Sequence, residues 1–362
     1  MGKIKVLVVD DSMVIRQLLK QMINAESDME VVGTAADPII ARDKIKHLNP
    51  DVITLDIEMP RMDGITFLRN LMRLRPMPVI MISTLTEAGA AITMESLNIG
   101  AFDFVPKPKE NLGKGLEKYA EDVTSKIRAS LKANIRELER RSQINGEESI
   151  KAVQKIADYA PRAGQLIAIG ASTGGTEAIK EVLLRLPANC PPIIITQHIP
   201  EKFSRSYAAR MNTTCSMIVH EADAGQKLMP GHVYIAPGGR HLVIKKSGNG
   251  LVTALQDSDP VNRHRPSVEV MFDSIIACGL KNTVGVMLTG MGADGADAMF
   301  RLKEYGCHTI IQDEDSCVVW GMPGSVFKLN GHNEITPLLK IPERLLALTN
   351  RRTDKVSIKS AG

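Results

Sequence analysis

Short runs of β-branched and other apolar residues recur through the first hundred positions: IKVLVV (4–9), MEVVGTA (29–35), DVITL (51–55), PVIMI (78–82) and FDFVP (102–106). The stretches between them carry apolar residues at helical spacing. This alternation predicts a (βα)5 doubly wound domain with a parallel sheet and helices on both faces, over residues 1–122. From about 110 the strand pattern gives way to charged residues at helical spacing, from Glu117 and Lys118 to Glu139 and Arg140, and then to the loose NGEES stretch. That reads as a solvated, partly helical linker, residues 123–162. Past Gly164 the rhythm resumes with QLIAIG, PPIIITQH, SMIVHEA, GHVYIAP, HLVIKK, LVTALQ, NTVGVMLTG and CHTIIQDE. A second α/β doubly wound domain is expected over 163–350, its sheet mostly parallel, with an antiparallel hairpin around SGNG (247–250) and a tail at 351–362.

A chain of 362 residues has room for two such cores. A formal charge of +4 and only 4% aromatic residues argue against a nucleic-acid partner. The five cysteines (Cys190, Cys215, Cys278, Cys307, Cys317) show no C-x-x-C spacing and read as free thiols in a reducing compartment. The first apolar run is too short for a signal peptide, and no later run is long enough to span a bilayer, so a cytoplasmic protein without direct membrane insertion is expected.

In a parallel sheet the carboxyl ends of the strands share one edge. Asp10 and Asp11 end the first strand, Asp56 the third, Ser83 the fourth, and Lys107 follows the fifth. Three carboxylates meeting there repel one another unless a cation intervenes, and an incomplete set of hard oxygen ligands suits Mg²⁺. An aspartate beside such an ion can act as a nucleophile toward a phosphoryl donor. These positions, with DIEMPRMDG at 56–64 and KP at 107–108, resemble the receiver domain of bacterial two-component response regulators. The resemblance implies that Asp56 accepts a phosphoryl group from a histidine kinase and that Ser83 and Phe104 then change position. Glu58, two residues after Asp56, is placed to lend its backbone carbonyl to the metal, the alternative being a side chain that simply faces water.

In the second half, Gly170-Ala171-Ser172-Thr173-Gly174 follows an apolar run and precedes a helix, the G-x-S-x-G form of a nucleophile elbow. A glycine-rich turn at a helix start also cradles phosphate, and from these residues alone both readings stand. A serine hydroxyl needs a base, and His198 closes the next strand; Asp294, in the glycine-rich turn after NTVGVMLTG, is the candidate acid, with Asp223 and Asp313 competing. His220, His232, His241, His264 and His308 read as surface or satisfied core histidines. Amides near Thr173 and Gly174, with Met291 from the other loop, are candidates for an oxyanion hole. GASTGG, TQHIP, APGGRHL, RHRPSVEVMF and LTGMGADG together resemble the catalytic domain of the chemotaxis protein-glutamate methylesterases, behind the same receiver and linker. The resemblance implies a Ser172–His198–Asp294 triad with no cofactor of its own, and substrates that are methylated glutamates, and glutamines, on the helices of methyl-accepting chemoreceptors. It also implies that the unphosphorylated receiver covers the catalytic cleft. The rival readings are a receiver-controlled transcription regulator, which would want a helix-turn-helix with clustered basic residues, and a phosphate-binding module without catalysis.

Overall fold

The computed structural model describes residues 2–84, 86–108, 115–134, 137, 159–248 and 250–351; most of the expected linker and all but the first residue of the expected tail lie outside the described residues. The chain divides into two compact units, Met1–Ile144 and Asn145–Gly362.

The first unit runs β1 (Ile4–Val9), α1 (Met13–Ala25), β2 (Met29–Ala35), α2 (Pro38–Leu48), β3 (Val52–Asp56), α3 (Gly64–Leu74), β4 (Val79–Ser83), α4 (Glu87–Ile99), β5 (Asp103–Pro106) and α5 (Leu116–Ser130). Its sheet has the order β2-β1-β3-β4-β5, with every pair parallel. Helices on both faces leave Val8, Ile53, Leu55, Ile80 and Met81 without exposed surface, which is why these strands are apolar runs rather than alternating ones. Each of the first four helices starts on a polar side chain: Ser12, Asp37, Asp63 and Thr86 accept amide hydrogens from their own first turns. Such caps are worth about 1 kcal/mol apiece and fix where each helix starts above the carboxyl edge of the sheet. The last helix is tied to the sheet by Lys126, which donates to Phe104 O at 2.6 Å and pairs with Asp103 at 3.2 Å.

The second unit runs β6 (Leu166–Ala171), α6 (Gly175–Leu183), β7 (Ile193–Gln197), α7 (Glu201–Thr214), β8 (Ile218–Glu221), β9 (His232–Ile235), β10 (His241–Ser247), β11 (Gly250–Gln256), α8 (Val268–Ala277), β12 (Thr283–Met287), α9 (Ala296–Tyr305), β13 (His308–Gln312), α10 (Met322–Lys328), β14 (Glu334–Thr336) and α11 (Ile341–Thr349). The sheet order is β14-β13-β12-β6-β7-β9-β8, again parallel throughout. Antiparallel pairing is confined to β10 and β11, which form a two-stranded sheet of their own. Leu242 and Ile244 of that hairpin join Met271, Phe272 and Ile275 of α8 and Met287, Met299 and Leu302 in one buried cluster. The chain works outward from β6 through β7 on one side and returns to the other side with β12. The reversal at β6 opens a crevice at its carboxyl end, where doubly wound folds bind ligands.

Candidate active site

Three strand ends meet at that crevice. Ser172 follows β6 directly, and its carbonyl accepts from Gly175 N at 2.7 Å, closing a tight turn into α6. Gly174 has φ 74° and ψ −3°, the third-position geometry of a type II turn that a side chain would strain. The turn is tied to its neighbours: Ser172 N donates to Thr289 O at 3.1 Å, and His198 N donates to Ala171 O at 3.2 Å. Gln197 reinforces this, its side-chain amide donating to Ser172 O at 2.9 Å and to His198 O at 3.1 Å. Gly290 is required by close approach, since a Cβ there would sit 2.9 Å from Ser172 Cβ.

Ser172 Oγ lies 3.1 Å from His198 Nδ1, and His198 Nε2 lies 2.8 Å from Asp294 Oδ2. A carboxylate only accepts, so Nε2 carries the hydrogen and the Nδ1 lone pair faces the serine hydroxyl. The two ring nitrogens thus exchange the roles they have in the chymotrypsin arrangement, with the same chemical result. Asp294 is almost fully buried. Its Oδ2 also accepts from Val268 N at 2.7 Å, while Oδ1 accepts from Ser267 Oγ at 2.7 Å and Asn262 Nδ2 at 2.9 Å. Burial pushes this carboxyl up, but the imidazole, Asn262 and Ser267 outweigh it and hold the pKa at about 2. The carboxylate also sits on the first amides of α8, where the helix dipole favours negative charge.

The competing acids lie elsewhere. Asp313 accepts from the hydroxyl and amide of Ser316 in its own turn, and Asp223 is exposed beside Gln226. Met291 follows Gly290, whose carbonyl accepts from Gly321 N at 3.1 Å and Met322 N at 2.8 Å. In a trans peptide the N–H points opposite the C=O, so these two contacts fix the direction of the Met291 amide. Thr173 is buried, and Gly174 half-buried, on the same turn as Ser172.

Three further residues serve the site without having been singled out from the sequence. Asn262 and Ser267 hold Asp294 as described. His264, read as a surface or core histidine, stacks face to face on the His198 ring, with centroids 3.6 Å apart and planes 9° apart. Ser267 had a signal, a serine immediately before a helix. It serves a distant carboxylate instead of capping its own helix.

In the first unit the carboxylates of Asp10, Asp11 and Asp56 lie within 4.8 Å of one another. Lys107 Nζ stands 2.7 Å from Asp56 Oδ2 and 3.2 Å from Asp10 Oδ2. One ammonium faces three carboxylates, and Asp56 Oδ1 is buried with no hydrogen-bond partner among the described residues. Burial, with the Asp10 charge adding to it, pushes the Asp56 carboxyl up to about 6. An orphaned carboxylate oxygen in a cluster with excess negative charge fits a divalent cation. Glu58 is exposed on the loop after β3, and with Asp11 and Asp63 it lines a depression beside the cluster. Ser83 is buried, and its hydroxyl is engaged on the α4 side, accepting from Thr93 Oγ1 at 2.7 Å. Phe104 is buried, with the Lys126 ammonium 5.4 Å from its ring centre. No helix among the described residues is long and apolar enough to cross a membrane.

Comparison with known proteins follows the same division. Residues 6–116 match the response regulator receiver domain, and residues 167–345 match the CheB methylesterase family. The chain is 53% identical over 347 residues to a protein-glutamate methylesterase/protein-glutamine glutaminase of Nitrosomonas europaea, covering 96% of this chain and 97% of that one. It is 50% identical over 376 residues to a protein of the same description from Hydrogenovibrio crunogenus, covering 97% and 100%. The crystal structure of the Thermotoga maritima CheB methylesterase catalytic domain superposes with a TM-score of 0.50 at 39% identity, covering 52% of this chain and all of that one. The chain therefore belongs to the protein-glutamate methylesterase/protein-glutamine glutaminase family, enzymes in which a receiver domain precedes a methylesterase domain.

Proposed function

We propose that the chain hydrolyses γ-methyl esters of glutamate, and amides of glutamine, on the cytoplasmic helices of methyl-accepting chemoreceptors, with Ser172 as nucleophile, His198 as base and Asp294 as the acid that orients it. The observation that carries this reading is the unbroken chain of contacts from Ser172 Oγ through both imidazole nitrogens to Asp294. A loop that merely cradled phosphate would not need its hydroxyl on an imidazole. Ser172 Oγ attacks the ester carbonyl as His198 Nδ1 takes its proton, giving a tetrahedral intermediate. His198 then protonates the leaving methoxide, and methanol departs. Water, activated by the same nitrogen, cleaves the acyl-enzyme to the free carboxylate. Amide substrates follow the same route with ammonia leaving. The amides of the Thr173–Gly174 turn and of Met291 stabilise the oxyanion; one such donor is worth about 3–4 kcal/mol of barrier.

Asp56 is the phosphoacceptor, and a chemotaxis histidine kinase is its donor. Asp10, Asp11, the Asp56 carboxylate and the Glu58 carbonyl would hold Mg²⁺, which neutralises charge on the incoming phosphoryl group. Lys107 and Ser83 bind phosphoryl oxygens, Ser83 after release from Thr93, and Phe104 shifts with it. The deciding experiment is methanol release from a methylated chemoreceptor fragment. Ser172→Ala abolishes turnover while Asp56 still takes up a phosphoryl group; turnover retained in that variant removes Ser172 from the mechanism.

A further inference from the structure

Thr289, three residues short of Gly292 on the loop after β12, is fully buried, and every polar atom it has is committed. Its carbonyl accepts from Ser172 N at 3.1 Å, and its amide donates to Gln312 Oε1 at 2.8 Å. Its hydroxyl accepts from Val319 N at 3.0 Å and lies 3.1 Å from Thr173 O and 3.2 Å from Val319 O. A hydroxyl has one hydrogen to give, so two carbonyls share it.

The Thr173 carbonyl belongs to the central peptide of the Ser172–Gly175 turn. Type I and type II turns differ chiefly in the direction of that peptide. Glycine at 174 permits the type II form observed, but glycine enters the negative-φ region about as readily, so it cannot select between the two. Selection has to come from a group that grips the peptide. The Thr289 hydroxyl is such a group: it holds the Thr173 C=O, and planarity then fixes the Gly174 N–H on the opposite side.

We infer that Thr289 is a positioning residue for the reaction, its hydroxyl locking the serine turn in the form that aims the Gly174 amide at the oxyanion. The inference rests on Ser172 being the nucleophile. It assigns no contact between Thr289 and substrate; Thr289 acts through the peptide next to the nucleophile. A mis-aimed donor weakens the transition state and leaves the ground-state complex largely alone, so the effect falls on kcat.

The test compares Thr289→Val, which keeps the shape and removes the hydroxyl, with Thr289→Ser, which keeps the hydroxyl. The wild type, both variants and Ser172→Ala are assayed as full chains on a chemoreceptor fragment bearing glutamate γ-methyl esters. Inhibition by an alkylboronic acid, whose serine adduct mimics the tetrahedral intermediate, is measured alongside. Thr289→Val should lower kcat about 10–100-fold, less than outright removal of a donor commonly does. Its KM should stay within threefold, its boronate affinity should fall in proportion to kcat/KM, and Thr289→Ser should recover most of the loss. Three results overturn the inference: kcat of Thr289→Val within twofold of wild type, a loss carried by KM, or Thr289→Ser as impaired as Thr289→Val. Fluorescence of the single tryptophan, Trp320, which pairs by backbone with Gly290, shows whether each variant keeps the fold around this loop. Residual turnover in Ser172→Ala would instead strike the nucleophile assignment.

Discussion

Five donors converge on the carboxylate of Asp294: His198 Nε2, Asn262 Nδ2, Ser267 Oγ and the amides of Val268 and Glu269, the last at 3.4 Å. Burial alone would raise this carboxyl, yet the donors depress it to about 2. The sign of the linkage follows. A depressed carboxyl lends stability that is complete above the ordinary value near 3.8 and is lost as pH falls toward 2, a contribution of about 2–3 kcal/mol. Asp294→Asn cannot titrate, so its stability should fall less steeply over that window. Urea unfolding followed by Trp320 fluorescence at pH 6, 4 and 2.5 measures the difference. Parallel curves for the two proteins would show that the carboxylate is not held as the contacts indicate. The candidate acid itself was legible because Asp294 follows a strand in a glycine turn. Its supporting donors were not, because Asn262 and Ser267 stand some thirty residues earlier, and nothing in their spacing relates them to it.

One of those donors, Asn262, comes from the turn Val261–His264, closed by backbone bonds in both directions. Its two central residues, Asn262 and Arg263, have φ of 52° and 69°, the pattern of a type I′ turn. Hairpins of this kind are read from Asn-Gly or Gly-Gly pairs. SGNG could therefore be recognised as the β10–β11 connection, whereas Asn-Arg gives no such signal. The strands and helices around the site were readable for the opposite reason. Strands covered on both faces are apolar throughout, and β6, β7 and β12 have no exposed residue. From the type I′ turn Asn262 reaches Asp294, and His264 covers the His198 ring. Stacking of this kind is worth about 0.5–1.5 kcal/mol beyond burial. If that energy holds the imidazole in plane, His264→Ala should lower kcat by about 2–10-fold. His264→Phe, which keeps a flat ring, should stay within twofold of wild type. Equal losses in the two variants would assign the effect to some property of His264 other than its stacked face.

At the scale of the whole molecule, the proposed catalytic side chains fall between Ser172 and Asp294 and the proposed phosphorylation site between Asp10 and Lys107, one set in each unit. Each unit has its own sheet, and a catalytic domain of this family has been solved by itself. The second unit should therefore fold and turn over alone, and any influence of Asp56 on Ser172 has to be a coupling free energy between two separately complete sites. Switching such an equilibrium from 1:99 to 99:1 takes about 5.5 kcal/mol of differential stabilisation. A phosphoryl group can contribute to it only by changing contacts that differ between two states of the receiver. In the proposed switch the hydroxyl of Ser83, engaged here by Thr93, is the contact that changes. If the unphosphorylated receiver restrains the enzyme, removing residues 1–140 should raise basal methanol release severalfold. Acetyl phosphate with Mg²⁺ should then accelerate the full chain, leave the truncated chain unaffected, and fail to accelerate Asp56→Asn. A truncated chain that folds by Trp320 fluorescence yet turns over no faster than the full chain would mean that phosphorylation activates the enzyme directly, without relieving a restraint.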